Sequence, residues 1–156
     1  MKVFPHGTGE GDKPSRYLVR PDYPGRDTAP PRVLRGDPAM TRALIDSIER
    51  RWKFTSGALS WHPDEKISEA QEEEVMDAFE QVAFAGLEAD QRNILWVRHT
   101  HAGHHELHFL IPRLELSSGK DFNACPPGWQ KDFDVFRDLF NWREGWARPD
   151  DPARTR

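Results

Sequence analysis

The chain has 156 residues, 37% hydrophobic and 31% charged, with a formal net charge of −4. That length suits one domain with its own core, and the single cysteine, Cys125, excludes a disulfide framework. The negative balance excludes a protein that grips nucleic acid over its whole surface. With no apolar signal segment in MKVFPHGTGEGDKPSRY and no run long enough to span a bilayer, the expectation is a cytoplasmic protein.

In chain order, a Gly-rich opening (Gly7, Gly9, Gly11) leads to a brief segment of one or two helical turns that contains Tyr17. The run from Pro21 to Pro31 is dense in chain breakers and reads as a loop or arm draped on the surface. Asp37-Pro38 signals a helix start, with Asp37 capping free amides and Pro38 in the first turn; Met40, Leu44 and Ile48 supply its expected buried stripe. Phe54 to Trp61, short and uncharged, reads as a strand. Ser68 with Gln71 predicts a capping box, and Val75, Phe79 and Val82 repeat at helical spacing behind it. The acidic run Asp64, Glu65, Glu69, Glu72, Glu73, Glu74, Asp77 and Glu80 falls here and reads as a solvated helix face.

Asn93–His99 and Glu106–Leu114 are β-like and predict a hairpin with a tight turn centred on Ala102-Gly103. Trp129, Phe133, Phe136 and Phe140 mark a last amphipathic helix. The expected organisation is one core domain over residues 1–145 and a flexible tail, 146–156. Hairpin-paired strands with helices predict an α+β fold, a central antiparallel sheet with helices packed on it.

Five of the seven histidines lie in HTHAGHHELH, residues 99–108. A hairpin centred on Ala102-Gly103 sets His99 opposite Glu106, and alternation brings His108 to the same face. Two imidazoles and a carboxylate with open positions suit a divalent metal. Leu107, Phe109 and Ile111 then point into the core. His105 points away from the ligand face and His104 sits at the exposed hairpin end. Cys125 has no charged company and reads as an ordinary thiol.

The segments RWKFTSGALSWHPDEKIS and NILWVRHTHAGHHELHFLIPRLELSSGK resemble mobilisation relaxases of the MobA/MbeA type, a branch of the histidine-hydrophobic-histidine (HUH) nucleases. The most specific part is H-x6-E-x-H; that branch reads His, Glu, Asn, and this chain has Glu106 in the middle place and His108 in the last. The resemblance implies a relaxase-like fold and a metal-dependent enzyme that nicks single-stranded DNA at an origin of transfer, forming a 5′-phosphotyrosyl intermediate. It also implies possible accessory mobilisation proteins as partners. Tyr17-Leu18 matches the family's nucleophile; Tyr23, in the breaker-rich loop, ranks second. His101 stands where relatives have aspartate and is the candidate base or ligand-orienting group. Mg or Mn is the expected metal, with Zn or Ni compatible. Arg16, Arg20, Arg35 and Lys53 are the candidate DNA-backbone contacts. Two rival readings share these residues: a relaxase fold kept as a DNA-binding accessory protein, and a two-histidine, one-carboxylate iron oxygenase, which needs a barrel-like double sheet.

Overall fold

The structure, a computed structural model, describes residues 1–146. Its centre is a five-stranded sheet of order β1-β3-β5-β4-β2, formed by Lys2–Val3 (β1), Arg32–Arg35 (β2), Phe54–Ser60 (β3), Leu95–His99 (β4) and Glu106–Pro112 (β5). Every neighbouring pair is antiparallel. The helices are Asp12–Val19 (α1), Pro38–Asp46 (α2), Glu69–Ala83 (α3) and Trp129–Glu144 (α4). The arrangement is the expected α+β one.

Strand alternation decides which residues face which helices. On one face Trp96, Leu107, Phe109 and Ile111 pack with Val75, Met76 and Phe79 of α3 and Phe133, Phe136 and Phe140 of α4. Phe79 is fully buried, 4.6 Å from the Phe109 ring, 5.0 Å from Trp96 and 5.1 Å from Phe133. On the other face Leu95, Val97 and Leu110 meet Leu18 of α1 and Ile45 of α2. Gly57 lets β1 and β3 approach closely, because a Cβ there would lie 2.4 Å from the Lys2 carbonyl oxygen.

Local signals explain the helices. Asp37 caps α2 by accepting from the Ala39 amide at 3.0 Å, and Ser68 and Gln71 close the predicted capping box on α3. The α2 stripe is as expected at Ile48, which is buried, and half-buried at Leu44, but Met40 is 53% exposed and Thr41 and Ile45 face inward instead. Thr41 can take that place because its hydroxyl is bonded to the Asn93 side chain at 2.7 Å.

The acidic face of α3 is solvated as expected at Glu69, Glu73, Glu74 and Asp77, but Glu72 is buried and the face is laced with ion pairs. Glu73, Asp77 and Glu80 converge on Arg35 of β2, Glu72 takes Arg98 of β4, and Glu74 pairs with Arg143 of α4. Arginines on β2, β4 and α4 thus pair with carboxylates on α3, three of which share Arg35. The core also runs one residue past the expected boundary: Trp146 is buried against Phe140 and Trp61, and residues 147–156, the rest of the expected tail, lie outside the described residues. No helix is long and apolar enough to cross a membrane among the described residues.

Candidate metal and tyrosine site

The β4–β5 hairpin has the expected register, with His99 opposite Glu106 and Val97 opposite His108. Residues 100–105 connect the strands, as the expected strand ends imply, and a β-turn closes within them where the Gly103 amide donates to the Thr100 carbonyl, with Gly103 at φ 84°. One ligand atom from each of His99, Glu106 and His108 falls within 4.8 Å of the others. These three stand on the α1 face at one end of the sheet.

The partners of each ligand prepare it. His99 is 1% exposed and its Nε2 lies 2.8 Å from the Leu18 carbonyl. A carbonyl only accepts, so Nε2 carries the proton and the Nδ1 lone pair is free. Burial pushes the His99 pKa down to about 4, so the ring is neutral at neutral pH. His99 Nδ1 and His108 Nε2 are both buried without a hydrogen bond, although the Glu106 carboxylate lies 3.5 Å from the second, so both nitrogens are candidates for a ligand role. The nearby His108 imidazole, against the opposing effect of burial, holds the Glu106 carboxyl down to about 2.

Glu106 Oε2 is 3.3 Å from His104 Nε2 and 3.3 Å from the Ser60 hydroxyl, while Oε1 faces His108 at 3.5 Å. His104 is therefore a neighbour of the ligand carboxylate, not a free residue at the hairpin end. Ser60 was not evident in the sequence, because what sets it opposite Glu106 is the long-range pairing of β3 with β5. His105 points to the opposite face, as expected, and bonds Glu72 at 2.8 Å. Cys125 is buried, which pushes its thiol up to about 12 and leaves it inert.

Tyr17 stands on α1, 41% exposed, with its ring centroid 6.3 Å from that of His99. Tyr23 comes to the same place: its ring meets Tyr17 edge-on at 5.5 Å and His101 at 5.7 Å. Burial and Tyr23 raise the Tyr17 hydroxyl pKa, with Arg26 opposing. His101 is 5.2 Å from the His99 ring, its Nδ1 buried without a partner and its pKa lowered by burial and by Arg26. A small apolar pocket of about 110 Å³ opens beside His108, lined also by Phe4, Pro14, Tyr17, Leu18 and Ser56.

The four cations singled out in the sequence do not converge. Arg16 is exposed and paired with Asp12 on its own helix, and Arg20 is held by Asp22. Lys53 precedes β3 at the end of the sheet remote from Glu106, about 20 Å away at ~3.3 Å per residue. Arg35 lies against α3 on the other face, its guanidinium occupied by three carboxylates. The iron-oxygenase reading meets a single five-stranded sheet, not the double sheet it requires.

Comparison with known proteins agrees with this geometry. The relaxase nuclease domain of MobA/VirD2-like type matches residues 39–141. Cryptic plasmid protein C of Neisseria gonorrhoeae is 41% identical over 99% of this chain and 74% of its own length. DNA relaxase MbeA of Escherichia coli is 34% identical over 100% of this chain, which spans 30% of that protein. No solved structure matches. Since the domain match spans β3, β4, β5 and the His99–His108 hairpin, and both relatives align along nearly the whole chain, the chain belongs to the MobA/VirD2-like relaxase family and is a DNA relaxase, an endonuclease.

Proposed function

We propose that this relaxase nicks single-stranded DNA at an origin of transfer by attack of the Tyr17 hydroxyl on the scissile phosphorus, at a divalent metal site formed by His99, Glu106 and His108. The observation that carries the reading is that one ligand atom from each of the three side chains falls within 4.8 Å of the others beside the Tyr17 ring, with a buried nitrogen of each histidine making no hydrogen bond. The donor set fits a first-row divalent ion; Mn is favoured over Mg because two of three donors are imidazoles, and Zn or Ni is compatible. When bound, the cation supplies Lewis acidity to the nonbridging phosphate oxygens.

The chain's residues carry the rest of the reaction. The Tyr17 oxygen forms a bond to phosphorus as the bond from phosphorus to the 3′ oxygen breaks, giving a 5′-phosphotyrosyl enzyme and a free 3′-hydroxyl. The phenol proton leaves as the bond forms, since the raised pKa keeps Tyr17 protonated at neutral pH. His101 is the base assigned to take it and return it to the departing 3′ oxygen, consistent with a neutral ring whose buried Nδ1 has no other partner. Arg16 and Arg20, flanking Tyr17 on the exposed side, and Lys53 at the far end of the sheet are assigned to backbone phosphates. Arg35 drops from that set because its charge is already matched. Residues 1–146 act as one catalytic domain, working in the cytoplasm and, for mobilisation, with accessory proteins.

The test is incubation with labelled single-stranded oligonucleotide carrying the origin sequence and Mn²⁺. A covalent adduct mapped to Tyr17 by mass spectrometry is expected. An adduct that persists in Tyr17→Phe refutes the nucleophile; DNA retention without cleavage in the wild type favours the accessory DNA-binding reading.

A further inference from the structure

Arg26 has no role in the chemistry above, yet its environment is unusual. It is 0% exposed, although it belongs to the breaker-rich loop that the sequence suggests is draped on the surface. One guanidinium nitrogen, Nη1, donates to the carbonyls of Tyr17 and Arg20 at the end of α1, while Nε and Nη2 have no hydrogen-bond partner. The guanidinium carbon lies 4.9 Å from the Tyr17 ring centroid and 4.7 Å from that of Tyr23. A buried cation held only by carbonyls and ring faces is costly, and such an arrangement persists where the surroundings require it.

We propose that Arg26 is the positioning residue of the nicking reaction: its planar guanidinium, clamped by Tyr17 and Tyr23 and tied to the last carbonyls of α1, fixes the Tyr17 ring beside His99. The proposal rests on the reading of Tyr17 as nucleophile. Arginine alone fits the place. A flat, weakly hydrated cation can lie against two aromatic rings while donating in its own plane, which a lysine ammonium cannot do. The α1 carbonyls attract the positive charge, since the C-terminal end of a helix carries partial negative charge. The loop thereby closes on the tyrosine helix, and its anchor is the group touching both tyrosines.

Two tyrosines are present in the whole chain, so protein labelled with ¹³C-tyrosine gives two assignable sets of ring signals. In Arg26→Lys and Arg26→Met, both sets are expected to shift toward free tyrosine. With Mn²⁺ and saturating origin single strand, adduct formation slows by roughly 10- to 100-fold, the scale of a misplaced reacting group, while half-saturation for DNA stays put. Methylguanidinium is expected to restore part of the rate in Arg26→Ala. If the Arg26 variants do not fold, Tyr23→Leu removes one side of the clamp and leaves Tyr17 as the only tyrosine, whose signal must then move. Unchanged Tyr17 signals in every folded variant, or a full rate with lysine, overturn the proposal. A wild-type protein with clamped tyrosine signals but no adduct overturns the nucleophile reading instead, and with it the reaction role of Arg26.

Discussion

Removal of Glu72 tests whether the site is held from behind the sheet. Its carboxylate is 2% exposed as a residue and accepts two hydrogen bonds from Arg98 and one from His105 at 2.8 Å. Arg98 precedes His99 and His105 precedes Glu106, so one carboxylate on α3 draws both strand ends that carry ligands on their opposite face. Burial pushes the Glu72 carboxyl up, but the bonds from His105 and Arg98 outweigh it and leave it below its ordinary value. A folded-state pKa below the unfolded one contributes stability that is present above pH 4.5, the ordinary value, and is lost as pH falls through the folded value. Glu72→Ala leaves a guanidinium and an imidazole buried without their anion, a change that costs about 3–5 kcal/mol. At about 2–4 °C per kcal/mol for a chain of this size, the melting temperature falls by roughly 10 °C at pH 7. Calorimetric melts read the stability and titration with Mn²⁺ reads the ligands, whose affinity drops by roughly 10-fold through lost orientation. The double variant Glu72→Met/Arg98→Met should recover most of the melting temperature, since a buried pair replaced by apolar groups is often neutral. A fall of less than about 3 °C in Glu72→Ala, well under that conversion, would refute the reasoning.

Saturating Mn²⁺ raises the melting temperature of the wild type, by about 2.7 kcal/mol of stability at 100 times its dissociation constant, and fails to do so in His99→Ala, Glu106→Ala or His108→Ala; thermal scans with and without EDTA check this. Ser60→Ala removes a hydroxyl that orients Glu106, and isothermal titration should find Mn²⁺ bound roughly 10-fold more weakly with the fold intact. Phe79→Ala empties the centre of an aromatic cluster and lowers stability by about 3–5 kcal/mol in urea unfolding. Arg16→Ala reduces the salt dependence of single-strand binding by roughly one phosphate contact, whereas Arg35→Met leaves that slope unchanged; filter binding from low to high salt separates the two.

The hairpin was legible because its register depends only on where it is centred. Any antiparallel pair folded about Ala102-Gly103 sets His99 opposite Glu106, whether the connection has two residues or the observed six. The α2 stripe was right at Ile48 and wrong at Met40: the inward place falls to Thr41, whose bond to Asn93, distant in sequence, is what allows a hydroxyl inside. Arg35 was read as a free cation because the pairing of β2 with β4, which carries it alongside α3, is a long-range fact that no local pattern encodes.

The segment that carries least periodicity contributes most to the tyrosine's surroundings. Residues 21–31 have neither the period of 2 nor that of 3.6, so nothing in them announces a buried side chain. Yet Arg26 is interior there, and Tyr23 reaches both Tyr17 and His101. The sheet and the ligand hairpin are specified by patterning that any sequence of this class must keep in order to fold. The tyrosine's setting is specified by individual contacts made by a loop whose backbone bonds, such as the Arg26 amide to the Tyr23 carbonyl at 3.0 Å, are turns rather than ladders. Apart from the buried Arg26, such a loop can change its sequence without disturbing the sheet, so the surroundings of Tyr17 can vary while the register that joins His99, Glu106 and His108 stays fixed.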